Sequence, residues 1–181
     1  MGRADGGVLL AGGGGSGKST TALACLGSSL QYLGDDYCSL ADGPEPRAFS
    51  VYGTGKLNRQ WISRMSELVP ALSFSVSDGD KAICFLRRHV PDKLLAGFPV
   101  KAILIVRIHG GSGTFLRPAS AVEGLKALAP STVFQLRRRS QDDTGWMALT
   151  RLVRQRPCHI LEVGSDLARI PAPIENLLAV S

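Results

Sequence analysis

The chain has 181 residues, a net charge of +6 and a hydrophobic fraction of 44%. That is enough apolar material for a core, so wholesale disorder is excluded, and the length fits one domain spanning 1–181. No apolar run reaches the length of a membrane span, and the first residues, Met1-Gly2-Arg3-Ala4-Asp5, lack the apolar stretch of a secretory signal, so the expected location is cytoplasmic and no membrane partner is expected.

The first predicted element is a short buried strand, Val8 to Ala11. Gly12 to Ser19 then reads Gly-Gly-Gly-Gly-Ser-Gly-Lys-Ser, a complete G-x-x-x-x-G-K-[ST] loop. Ser19 to Leu30 carries Ala22, Leu23, Leu26 and Leu30 at near-helical spacing and reads as a helix. Strand, glycine loop and helix in this order form a phosphate cradle. The glycines let successive N–H groups curl around phosphate oxygens, and the helix start adds its unpaired N–H groups. Gly13, Gly14, Gly15, Ser16, Gly17, Lys18, Ser19 and Thr20 are the candidate nucleotide-binding residues. Lys18 would reach the β- and γ-phosphates, and the Ser19 hydroxyl would hold Mg²⁺. ATP is the default nucleotide, because no Asn-Lys-x-Asp guanine-reading motif is present.

Tyr32-Leu33 reads as a brief strand broken by Gly34, with Asp35 and Asp36 at its end and Tyr37 to Leu40 as its continuation. The acidic pair lies seventeen and eighteen residues after Lys18, the length of one helix and a return strand. That distance would bring the two carboxylates back to the mouth of the loop, where one can hold Mg²⁺ and the other can take a proton from an attacking hydroxyl. A Gly-Asp-Asp surface turn is the structural alternative.

Further along, Asp42-Gly43-Pro44 and Pro46 mark a turn, Ala48 to Tyr52 a strand, and Gly53-Thr54-Gly55-Lys56 a second glycine loop. Trp61 to Leu68 reads as a helix stopped by Pro70. Lys81 to Leu86 and Ala102 to Ile108 are strands, the second rich in branched residues. Pro118-Ala119-Ser120 opens a helix with Ser120 and Glu123 as a capping box, ending near Leu128 before Pro130. Gly145 to Val153 reads as a helix, His159 to Val163 as a strand, and Ala168 to Val180 as a mixed tail. The order is that of an α/β fold with a mixed β-sheet around a P-loop, without strict alternation.

Arg107, at the end of its strand, is a candidate for stabilising a phosphate in transfer, or else a solvated strand-end cation. Lys56 either faces the same cavity or lies on the surface, and His109 either touches nucleotide or is structural. Trp61 and Trp146 read as packing residues rather than adenine platforms. The four cysteines have no metal-ligand spacing and read as buried reduced thiols. The basic clusters Arg87-Arg88-His89, Arg137-Arg138-Arg139 and Arg151 to Arg156 lack interleaved aromatics, so nucleic acid is not the expected partner.

The stretch GGGGSGKSTTALACLGSSLQYLGDDYCSL resembles the core of the HPr serine kinase/phosphorylase family. It resembles more strongly still the HPr-kinase-related proteins found with peptide-modifying enzymes, including the kinases of lasso-peptide clusters. Leu57-Asn58 after Gly-x-Gly-Lys, the strand ending in Arg107, and Leu116 to Ser120 fit the same outline. The resemblance implies a phosphoenolpyruvate-carboxykinase-like fold of the HPr kinase C-terminal domain type. It implies ATP- and Mg²⁺-dependent transfer to a serine-type hydroxyl of a peptide or protein, and a homo-oligomeric assembly. Carried over by position, Lys18 clamps phosphates, Ser19 and Asp35 serve the metal, and Asp36 is the general base supported by Asp35. Where the family has Glu after Gly-Lys-Ser this chain has Thr20, and the Glu-x-Arg-Gly segment has no counterpart. Only seven residues precede Val8, so the family's upstream histidine is expected to be missing. A nucleotide-binding regulatory or scaffold module without transfer activity is the alternative reading. A small-molecule kinase ranks last, for want of an arginine-rich lid other than Arg137-Arg138-Arg139.

Overall fold

A computed structural model describes residues 1–35, 37–65, 72–73, 81–136 and 144–180. The fold is α/β, with a seven-stranded mixed sheet. Its strands are β1 (Gly2–Arg3), β2 (Gly6–Ala11), β3 (Cys38–Ala41), β4 (Arg47–Ser50), β8 (Gly97–Ile108), β9 (Phe115–Ala119) and β10 (Cys158–Val163). A separate antiparallel sheet holds β5 (Thr54–Asn58), β6 (Leu72–Ser73) and β7 (Lys81–Phe85). The helices are α1 (Lys18–Ala24), α2 (Leu86–His89), α3 (Ala121–Leu136), α4 (Thr144–Gln155) and α5 (Pro171–Ala179).

Strand β8 organises the sheet. It runs parallel to β2 on one side and to β10 on the other, and its first residues pair antiparallel with β4. Residues buried on both faces give the continuous apolar run expected of a central parallel strand. Ala102, Leu104 and Val106 face one core with Leu23 of α1, Leu57 of β5 and Ile174 of α5. Phe98, Val100 and Ile103 face a second core with Leu152 and Val153 of α4, against which Leu125 and Leu128 of α3 pack. The glycine loop leaves the carboxyl end of β2 beside the carboxyl end of β8, the edge where open α/β sheets place ligands.

The structure corrects several sequence expectations. Strand β8 begins at Gly97 rather than Ala102, because pairing with β4 recruits Gly97-Phe98-Pro99. Helix α1 ends at Ala24 and continues only as a 3-10 turn, Cys25–Gly27, where Gly27-Ser28-Ser29 ends helical propensity. Tyr32 forms an isolated bridge to Leu94 rather than part of a strand, and β3 is a hairpin partner of β4 rather than a continuation of that segment. Phe115–Ala119 is an edge strand; Pro118 is tolerated there because, among the described residues, β9 pairs with β10 alone. Pro130 lies inside α3 instead of ending it, and the tail forms α5 with Pro171 at its first turn, where a missing N–H costs nothing. Residues 61–64 lie in the 3-10 helix Arg59–Arg64, and residues 66–68 of the expected helix fall outside the described residues. Trp146 is exposed on α4 rather than packed.

The expected second glycine loop is strand β5. Gly55 is there because the strand crosses α1 closely: a Cβ at that position would lie 3.0 Å from both Leu23 Cδ2 and Tyr32 Oη. Tyr32 Oη also donates to Thr54 O at 3.2 Å. Gly55→Val is expected to destabilise the fold by about 1–3 kcal/mol through overpacking, read as a lower urea midpoint. An unchanged midpoint would mean that β5 and α1 are not in contact.

Cys25, Cys84 and Cys158 are buried and free, as expected, whereas Cys38 is exposed. Burial pushes the Cys25 thiol up to about 12 and the Cys84 thiol up to about 11, so both stay protonated at neutral pH. Among the described residues no helix is long and apolar enough to cross a membrane.

Candidate active site

The glycine loop takes a shape that only its sequence permits. Gly15 and Gly17 have φ of 78° and 97°, in the left-handed region. Gly17 turns the chain into α1, and a Cβ there would press on the Ile108 side chain at 3.3 Å. Above Gly13, Gly14 and Gly15 there is open space, so the outer face of the loop is accessible to a ligand.

Lys18 folds back over the loop, and its Nζ donates to Gly12 O at 2.9 Å and to Gly13 O at 2.8 Å. Ser19, one residue into α1, donates through Oγ to Asp35 Oδ1 at 2.7 Å. The second Asp35 oxygen accepts from the Lys56 backbone N–H at 2.8 Å. The acid is therefore clamped between the start of α1 and strand β5. The expected return of the acidic step to the loop holds for Asp35. Asp36 lies outside the described residues, as do Arg137, Arg138 and Arg139.

The remaining sequence candidates separate. Thr20 is half-buried within α1. Arg107 lines a cleft of about 380 Å³ with Gly12, Gly13, Ser16, Glu123 and Lys126. It does not line the two clefts, of about 60 and 310 Å³, that contain Asp35. Glu123 is the cap of α3: its carboxylate accepts from the Ser120 N–H at 2.9 Å and from the Ser120 hydroxyl at 3.0 Å. Those bonds, aided by the charges of Arg107 and Arg117, hold Glu123 below the usual carboxylate range. Lys56 lines the larger Asp35 cleft on β5. His109 is held by its own turn, with Nε2 2.7 Å from Gly113 O and Nδ1 accepting from Gly111 N–H at 3.0 Å. Since a carbonyl only accepts and an amide N–H only donates, these bonds select the tautomer protonated at Nε2. Both ring nitrogens of His109 are engaged within that turn.

Three features of the loop fit a triphosphate with its metal. Ser16 Oγ is buried and has no hydrogen-bond partner, an orphan that a phosphate oxygen would satisfy. A Cβ on Gly13, Gly14 or Gly15 would meet no atom within 4 Å, so the outer face of the loop is open. The Ser19 hydroxyl and Asp35 carboxylate form a hard oxygen pair, the donor type Mg²⁺ takes when phosphates and water complete its shell. Among the described residues no cluster of three or more His, Cys, Asp or Glu could hold a metal by protein ligands alone.

Two residues at this site carried no motif. Tyr37 and Tyr52 line the larger Asp35 cleft with Thr54 and Lys56, and no spacing rule singles them out. No protein-family model, no curated protein and no solved structure matches this chain.

Proposed function

We propose that the chain is an ATP-dependent kinase that transfers the γ-phosphate to a serine-type hydroxyl of a peptide or protein. The observation that carries the reading is the Ser19 Oγ–Asp35 Oδ1 contact of 2.7 Å beside the glycine loop. It joins the metal-binding hydroxyl of a phosphate loop to a carboxylate seventeen residues after the loop lysine, the arrangement that phosphoryl-transfer sites use. The resemblance to the HPr kinase/phosphorylase family adds the serine-type acceptor, the phosphoenolpyruvate-carboxykinase-like variant of the α/β fold and the assignment of roles.

On this reading the amides of Gly13 to Gly17 and the Lys18 ammonium bind the phosphates. Ser19 and Asp35 hold Mg²⁺, which when bound neutralises charge on the β- and γ-phosphate oxygens. Contacts at both oxygens orient Asp35 for metal binding, one to Ser19 and the other to the Lys56 N–H. The acceptor oxygen forms a bond to the γ-phosphorus. The bond from that phosphorus to the bridging oxygen breaks, and ADP leaves with the electron pair. The hydroxyl proton passes to Asp36, the base that the family resemblance implies.

Asp36→Asn is expected to lower transfer to a serine peptide by about 10²- to 10⁴-fold, with ATP affinity unchanged within about twofold. Labelled ATP, Mg²⁺ and a peptide pool give the first quantity, and a fluorescent ATP analogue gives the second. Transfer at the wild-type rate would remove the base assignment. ATP binding by the wild-type protein with no transfer to any hydroxyl would favour a nucleotide-binding module.

A further inference from the structure

Asp35 separates two spaces. Oδ1 faces Ser19 and the loop, and Oδ2 faces Lys56 and an open cleft of about 310 Å³ lined by Asp35, Tyr37, Tyr52, Thr54 and Lys56. Two of those lining residues are aromatic. Tyr37 and Tyr52 stand edge to face, with ring centroids 6.4 Å apart and planes at 72°. They are 51% and 59% exposed, so their rings form a surface platform rather than part of the core. Isolated exposed aromatics need no explanation, but a contiguous pair beside a candidate metal site does.

The platform is fixed relative to Asp35. A Cβ on Gly34 would lie 3.3 Å from Tyr37 O and 3.7 Å from Tyr52 O, so both tyrosine-bearing segments pack on the residue before the acid. The Lys56 N–H bond ties the third wall, β5, to the carboxylate itself.

The position of the cleft defines its role. In a phosphate loop of this type the lysine and the following hydroxyl serve the terminal phosphate and its metal. Asp35 therefore marks the γ-phosphate end of the site, and an in-line nucleophile arrives from beyond that end. The cleft that holds Arg107 and Lys126 borders the first half of the loop instead.

We propose that the Tyr37–Tyr52 cleft is the acceptor site, seating a peptide segment whose apolar or aromatic side chain lies on the two rings while its hydroxyl-bearing residue points towards Asp35. This rests on the phosphotransferase reading above. A polypeptide fits better than a small metabolite. Metabolite pockets bury about 70–90% of their ligand, whereas two half-exposed rings offer one face only. Such a face suits a chain that brings its own cover, and tyrosine supplies contact area at low entropic cost.

The test uses a pool of short synthetic peptides, each with one serine, with Mg²⁺ and γ-labelled ATP. Fluorescence anisotropy of the best acceptor peptide and binding of a fluorescent ATP analogue are measured in parallel. Tyr37→Ala and Tyr52→Ala should each raise the peptide KM by about tenfold or more, with kcat and ATP-analogue affinity unchanged. Peptide anisotropy should weaken by the same factor, and Tyr52→Phe should behave as wild type. Weaker ATP-analogue binding with an unchanged peptide KM would make the rings a nucleobase platform and overturn the proposal. Unchanged values throughout would also overturn it, while leaving the kinase reading intact. A wild-type protein that binds the analogue but labels no peptide would end both.

Discussion

Lys18→Ala is expected to weaken ATP binding by about 10- to 100-fold, the loss of one hydrogen-bonded charge contact worth about 1.5–3 kcal/mol. Transfer is expected to fall further, by about 10²- to 10³-fold at saturating ATP, because charge on the γ-phosphate oxygens is best matched in the transition state. The fold should be little affected. In the free protein Nζ donates to the Gly12 and Gly13 carbonyls, which lie on a loop open to solvent, so water replaces it when the side chain is cut back. An equal melting temperature with reduced affinity in a fluorescent-analogue titration is the expected pair of results. A variant that binds ATP like wild type would remove Lys18 from the phosphate site.

Asp35→Asn probes the other half of the cradle. The carboxylate accepts from the Ser19 hydroxyl through one oxygen and from the Lys56 N–H through the other. The amide has one acceptor oxygen, and the backbone N–H of Lys56 can only donate, so the oxygen must turn to Lys56 and the NH₂ to Ser19. The Ser19 hydroxyl can accept, so the shape of the site survives at a cost of about 1 kcal/mol. The negative charge is lost. Mg²⁺-dependent ATP affinity should fall at least tenfold, and transfer by about 10²- to 10³-fold, while weak Mg²⁺-free binding stays as in wild type. Titrations with and without Mg²⁺ separate these effects. An equal loss under both conditions would mean that Asp35 supports the loop rather than the metal.

The legible part of the site was the part that local sequence dictates. Gly15 and Gly17 must be glycine for their positive φ, and Lys18-Ser19 follows from the same motif. The spacing to Asp35 worked even though its supports were misread: the helix is shorter than expected, and the return segment is no regular strand. What mattered was chain length, which sufficed to bring Asp35 to 2.7 Å from Ser19. The capping box at Ser120 and Glu123 was also legible, because its bonds span only three residues.

Failures came where distant partners decide. Gly53 to Lys56 has turn composition, yet β7 pairs with Thr54, Gly55 and Lys56 and α1 presses on Gly55, so the strand begins at Thr54. Phe115–Ala119 has a proline and an arginine, yet the open side of β10 accepts it. Tyr37 and Tyr52 lie fifteen residues apart, and the pairing of β3 with β4, Cys38 opposite Ser50, brings them together beside Gly34.

The most direct test of the cradle formed by the glycine loop, Ser19 and Asp35 is calorimetric titration of the wild-type protein with ATP, with Mg²⁺ present and then with the metal chelated. The account predicts one site per chain that tightens at least tenfold when Mg²⁺ is present. No saturable heat, or the same affinity with and without the metal, would contradict it.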